Sequence, residues 1–130
     1  MLETLLNQTA APTLMKTAQF TAARHALLAE NIVNASTPGY RQKDLDVEGF
    51  RSALRDRIDR KTRRGTVDVS GLDFDHADPR RRLVSHDGND RSVEKTMADS
   101  TQNAMRHNLA IELLRKQMGL FHMAARERVA

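Results

Sequence analysis

Five histidines are the side chains best suited to metal binding or proton transfer in this chain, and their spacing supports neither use. His25 and His107 fall in helical stretches, while His76, His86 and His122 are scattered. None forms His-Glu-x-x-His, and the absence of cysteine leaves no thiolate to complete a zinc site. His76-Ala-Asp78 and His86-Asp87 offer two ligands each, a pairing that arises freely by chance. Nucleophilic catalysis lacks its marks too, since neither a Gly-x-Ser-x-Gly elbow nor a glycine-rich phosphate loop is present. The acidic pairs Asp44/Asp46 and Asp73/Asp75 alternate in polar segments with no apolar surroundings to shift their pKa values. The expectation is therefore no catalytic residue, no metal, no cofactor and no enzyme.

A different chemistry is available to Arg51-Ser-Ala-Leu-Arg-Asp-Arg-Ile-Asp-Arg-Lys-Thr-Arg-Arg64, where seven basic residues could contact phosphates. Asp56 and Asp59 lie inside this run, and only Phe50 offers a stacking ring nearby. The formal net charge is +4, but residues 41–91 carry 24 of the 38 charges as 13 basic and 11 acidic. A mixed-sign, solvated segment fits that balance better than a basic patch. The rival reading is a basic helical module that binds nucleic acid through Arg51–Arg64.

The elements that would hold these residues are helices. Leu14, Ala18, Ala22, Ala29 and Ile32 recur at helical spacing, flanked by Met15, Leu28 and Val33, with Pro12 placed to begin the run. The pattern predicts a helix from about Pro12 to Ser36, preceded by a short amphipathic turn or helix on Leu2, Leu5 and Leu6. A second helix should open at Asp90, after the Asp87-Gly88-Asn89 turn, and run to Glu127, about 57 Å long. Its stripe reads Met97, Thr101, Ala104, Asn108, Ile111, Leu114, Met118, Phe121 and Ala125, widened by Met105, Leu109 and Leu113. A helix of that length should pair along its whole side with the first helix and with other chains.

Residues 40–89 form a polar insert between the helices. Phe50, Leu54 and Ile58 could make one short helix, and Thr66-Val-Asp-Val69 alternates like a brief strand. The insert has too few apolar residues for a core of its own and is expected to be loosely ordered. With 39% hydrophobic residues and no tryptophan, the whole chain favours a helical seam over a globule. The expected fold is all-α: an N-terminal helix and turn over 1–39, the insert, and a C-terminal helix over 90–130, the helices pairing as a coiled-coil-like hairpin. No stretch approaches a membrane span, and no basic region precedes an apolar run at the N-terminus, so direct membrane insertion and a cleaved signal peptide are not expected.

The most specific stretch is Asn31-Ile-Val-Asn-Ala-Ser-Thr-Pro-Gly-Tyr40. Pro38 presets φ at the second position of a turn, and Gly39 supplies the positive φ a type II turn needs at the third. Pro38 also keeps Thr37 out of the α region, so the helix should end by Ser36 or Thr37. Asn31 and Asn34, one turn apart, can satisfy carbonyls left unpaired at the helix end.

This Asn-x-x-Asn-x-x-Thr-Pro-Gly-Tyr block closely resembles the N-terminal motif of the flagellar axial proteins, the rod, hook and hook-junction subunits. The 130-residue length, the Asp87-Gly88-Asn89 turn and the helix Asn103-Ala-Met-Arg-His-Asn-Leu-Ala-Ile-Glu-Leu-Leu114 are similar to the proximal rod branch. The chain lacks the Asn-, Val- and Met-Ile-rich C-terminal helix motif of longer members, and has His107 where Tyr is expected. The resemblance implies a structural subunit of the flagellar basal body, exported by the type III apparatus without signal cleavage and assembled in the periplasmic rod. Implied partners are other rod proteins, the rod–ring adaptor at the rod base, and copies of the chain itself, with no nucleic acid. The residues expected to carry assembly are Asn31, Asn34, Thr37, Pro38, Gly39 and Tyr40, with Leu28 and Ile32 on the first helix. On the second they are Ala104, Ile111, Leu114, Met118 and Phe121.

Overall fold

The computed structural model describes residues 9–65, 67–72 and 93–129. Three helices account for most of them: α1 (Ala11–Val33), α2 (Val47–Arg64) and α3 (Val93–Val129). The two long helices α1 and α3 pack against each other, as the all-α hairpin reading expects. At 1.5 Å per residue, the 23 residues of α1 span about 34 Å and the 37 of α3 about 55 Å. The residues 1–8 that hold Leu2, Leu5 and Leu6, and the Asp87–Asp90 turn, lie outside the described residues.

α1 begins where the sequence places it. Pro12 sits in the first turn, and the Ala11 amide donates to Thr9 Oγ1 at 3.2 Å. The helix stops at Val33, three residues before the expected Ser36, because Asn34 already leaves helical geometry as the C-cap. Its packed side also differs from the apolar stripe. Ala18 and Leu28 are buried, but Ala22, Ala29, Met15 and Val33 face solvent. The buried surface instead includes Phe20, Thr21, Ala23, Arg24, Leu27 and Asn31. Three of these are polar or charged, and each has its hydrogen bonds met inside the fold, which is why a purely apolar pattern misplaces the face.

The insert starts by borrowing the α1 surface. Residues 40–46 run back along α1, with Asp44 and Leu45 buried, and lead into α2. Phe20, Ala23 and Leu27 of α1 form a small core with Leu45, on which Val47 and Phe50 also pack. The rings of Phe20 and Phe50 stack with centroids 4.1 Å apart and planes 8° from parallel. Such a pair adds about 1 kcal/mol beyond the area it buries. The insert thus needs no core of its own over this stretch.

α2 is the expected helix on Phe50, Leu54 and Ile58, extended to 18 residues by its caps. Asp46 Oδ1 accepts from the Gly49 amide at 2.9 Å, and Gly65 closes the other end with φ 79°. A Cβ at position 49 would collide with the Asp46 carboxylate, so glycine is what lets this cap close. Val67–Val69 is not a strand in the structure, and Thr66 lies outside the described residues. The Asp68 carbonyl instead accepts from Arg57 Nη1 at 3.1 Å, bringing the segment back onto α2.

Candidate assembly surface and its turn

The Thr-Pro-Gly-Tyr turn forms as its residue order dictates. Gly39 has φ 76°, and the Tyr40 amide donates to the Thr37 carbonyl at 3.2 Å, closing the turn. A turn of the same span precedes it, from the Thr37 amide to the Asn34 carbonyl at 3.0 Å. Asn34 Nδ2 donates to the Glu30 carbonyl at 3.0 Å, the role expected of an amide at a helix end.

Asn31 does something else. Its Nδ2 donates to the Lys43 carbonyl at 2.6 Å, and its Oδ1 accepts from the Lys43 amide at 3.0 Å. The same Oδ1 accepts from the Tyr40 hydroxyl at 3.1 Å. One buried side chain therefore holds both the exit from the turn and the segment beyond it. Burial, and next the charge of Glu30, push the Tyr40 phenol above its ordinary pKa of 10.0. One step further, Arg24 grips Asp44 with two bonds, Nε to Oδ1 at 2.9 Å and Nη2 to Oδ2 at 3.0 Å. Asp44 Oδ1 also accepts from the Leu45 amide at 2.8 Å, so this buried ion pair is built into the backbone.

The α1–α3 contact has a polar centre. Asn103 is 1% exposed, and its Nδ2 donates to the Thr21 carbonyl at 2.7 Å. Thr21 Oγ1 lies 2.9 Å from the Thr17 carbonyl and 3.0 Å from that of Ala18. It also lies 2.9 Å from His107 Nδ1. Which of the two groups donates in this contact follows from the histidine tautomer. His107 thus fills a hydrogen-bonding place in the seam.

Around this centre the buried residues of α3 are Thr96, Asn103 and Ala110, with Ala104, Ile111, Leu114 and Phe121 half-buried. Met118, expected in the stripe, is exposed, and Met97 at its start is 51% exposed. The packed line Thr96, Asn103 and Ala110 has the same seven-residue spacing as Met97, Ala104 and Ile111 but lies one residue earlier, so the packed face is turned away from the predicted stripe. On α1, Leu28 is buried and Ile32 half-buried, while Thr37, Pro38 and Gly39 are exposed.

The far side of α3 is apolar as well. Met105, Leu109, Leu113, Leu120 and Met123 are all exposed, Met105 and Leu120 at 67%. α1 adds Met15 and Val33, the latter 81% exposed. α3 thus has a packed face and an uncovered apolar one, while α1 leaves one exposed large apolar side chain near each end.

Some arginines of the arginine-rich run bond groups within or beside it. Arg60 pairs with Asp56 at 2.9 Å, Arg51 with Glu48 at 3.5 Å, and Arg57 bonds the Asp68 carbonyl. The side chains of residues 62–64 lie outside the described residues. Among the described residues, no group of three or more His, Cys, Asp or Glu is placed to hold a metal. His76, His86, Asp73 and Asp75 lie outside them. No helix among the described residues is long and apolar enough to cross a membrane.

Compared with protein-family models, with curated proteins and with solved structures, the chain gives no match.

Sequence reasoning missed Phe20, Thr21, Arg24, Asp44 and Asn103. The polar ones carry no periodic signal, because each is buried by virtue of a partner far away in the chain. Phe20 and Phe50 did carry a signal, as two of only five aromatic residues in the sequence.

Proposed function

We propose that this chain is a structural subunit of the bacterial flagellar basal body, in the proximal part of the rod. It would be exported through the type III apparatus without signal cleavage and would assemble in the periplasm. Its neighbours there are other rod proteins, the rod–ring adaptor at the base, and further copies of itself.

The observation that carries this reading is the closure of the Asn31–Tyr40 block. Asn31, Asn34, Thr37, Gly39 and Tyr40 each make a bond or a backbone conformation that the turn requires. The motif is therefore a device that fixes the direction of the chain leaving a long helix. A rod that transmits torque needs such fixed geometry, and needs helices with apolar faces left over for neighbours. The exposed residues Leu109, Leu113 and Leu120 of α3 supply that second requirement.

The test is a comparison of two variants in cells. Leu120→Asp alters the uncovered face at a residue 67% exposed, so the isolated chain should keep its helix content. A carboxylate there would be buried without a partner in a packed rod. Leu120→Asp should abolish rod assembly and swimming, whereas Arg51→Ser with Arg55→Ser should leave both intact. Swimming by the Leu120 variant and loss of motility in the arginine variant would overturn the reading in favour of an electrostatic binding module.

A further inference from the structure

The uncovered side of α3 has an internal order that its apolar character does not require. Met105, Leu109, Glu112, Lys116, Gly119 and Met123 follow one another by four, three, four, three and four residues. That is the spacing of a single coiled-coil seam, and it lies on the side of the helix away from Asn103 and Ala110. All six are exposed, Met105 at 67%, Leu109 at 59% and Met123 at 63%.

The order is self-complementary when reversed. Laid antiparallel on a copy of itself about position 114, the seam sets Met105 opposite Met123 of the second copy. Leu109 falls opposite Gly119, and Glu112 opposite Lys116. The same three matches recur on the other half by symmetry, as an isologous two-fold contact demands. Each match is favourable for its own reason. Opposite charges meet at the centre, and two flexible thioether side chains meet at each end. A Cβ built on Gly119 meets nothing within 4 Å, so the space beside it is open to the leucine. A parallel pairing would instead set Glu112 on Glu112 and Lys116 on Lys116, which repels. Glu112 already touches Arg115 at 3.0 Å, but that pair is exposed, with side chains 67% and 73% accessible. An exposed pair of this kind contributes little and yields easily to a second cation.

We propose that a second copy of this chain docks on this face, forming an antiparallel dimer of the free protein through Met105–Met123. This dimer does not depend on the rod reading, because its evidence is the charge and size order of one seam. If the chain is a rod subunit, the dimer covers the outer face of α3 until assembly.

The chain has no cysteine, so introduced thiols report geometry directly. In full-length protein, Met105→Cys mixed with Met123→Cys should give a disulfide-linked dimer under mild oxidation, while either variant alone should not. Sedimentation equilibrium of the cysteine-free protein should show a reversible monomer–dimer equilibrium. Lys116→Glu should weaken it about tenfold, and adding Glu112→Lys to the same chain should restore it. Cross-linking by Met105→Cys alone would mean a parallel contact and would overturn the proposal. A monomer at every concentration, leaving the face to some other partner, would overturn it as well.

Discussion

Asn31 and Lys43 are twelve residues apart and exchange two hydrogen bonds, amide side chain to carbonyl at 2.6 Å and backbone amide to side-chain oxygen at 3.0 Å. The asparagine thereby imitates a neighbouring strand, giving a non-helical segment the backbone partners it would otherwise lack. Through the Tyr40 hydroxyl on the same oxygen, the helix end, the turn and the returning segment become one unit.

Replacing Asn31 with Leu removes all three bonds and leaves the Lys43 amide and carbonyl without their partner. The cost should be about 2–3 kcal/mol, more than one lost bond, because groups in a partly buried site are left unsatisfied. Thermal or urea unfolding followed by circular dichroism measures it. A change below about 0.5 kcal/mol, the range of an ordinary surface substitution, would mean the clamp contributes nothing.

At Gly39 the cost should come from the backbone alone. Its φ is 76° and a Cβ there meets no atom within 4 Å, so no clash adds to the strain. Asn should be tolerated best, Ala should cost about 1 kcal/mol, and the β-branched Val more. Equal stability across the three variants would show that the positive φ is not required.

The Arg24–Asp44 pair makes an asymmetric prediction. Asp44→Ala leaves a buried guanidinium alone and should cost about 3–5 kcal/mol, whereas Arg24→Met with Asp44→Leu should recover much of that loss. The comparison of single and double variants is the measurement. A double variant as unstable as the single one would show that the charges themselves, and not merely their pairing, hold the segment down.

Tyr40 predicts a pH effect with a definite sign. Its folded pKa lies above the ordinary 10.0, so its contribution is complete below that pH. The contribution is lost as pH rises through the folded value, because the unfolded chain releases the phenolic proton more readily. The chain has one tyrosine and no tryptophan, so ultraviolet titration reads this group alone. The native midpoint should exceed the denatured one, and Glu30→Gln should narrow the gap. Coincident midpoints would remove the burial argument.

How much of this was legible beforehand differs by element. Leu14, Ala18 and the later stripe of α3 announced two long helices, and Pro38-Gly39 announced the turn, because each signal is local in sequence. The rotation of the packed faces was not legible. Thr21 and Asn103 meet across 82 residues, and Arg24 and Asp44 across 20, so neither pair leaves a periodic trace. In the sequence Asn31 reads as a helix-end amide, but its partner at Lys43 follows from where the turn sends the chain. The anchoring of Phe50 on Phe20 likewise depends on the insert having a helix surface to borrow.

The central claim is that the chain is part of the rod, and isolation of intact basal bodies tests it most directly. Basal bodies purified from motile cells should contain the protein in fixed proportion to the other rod subunits, and should lose it together with the rod in a Leu120→Asp strain. Basal bodies complete in every other rod component but lacking this chain would contradict the account.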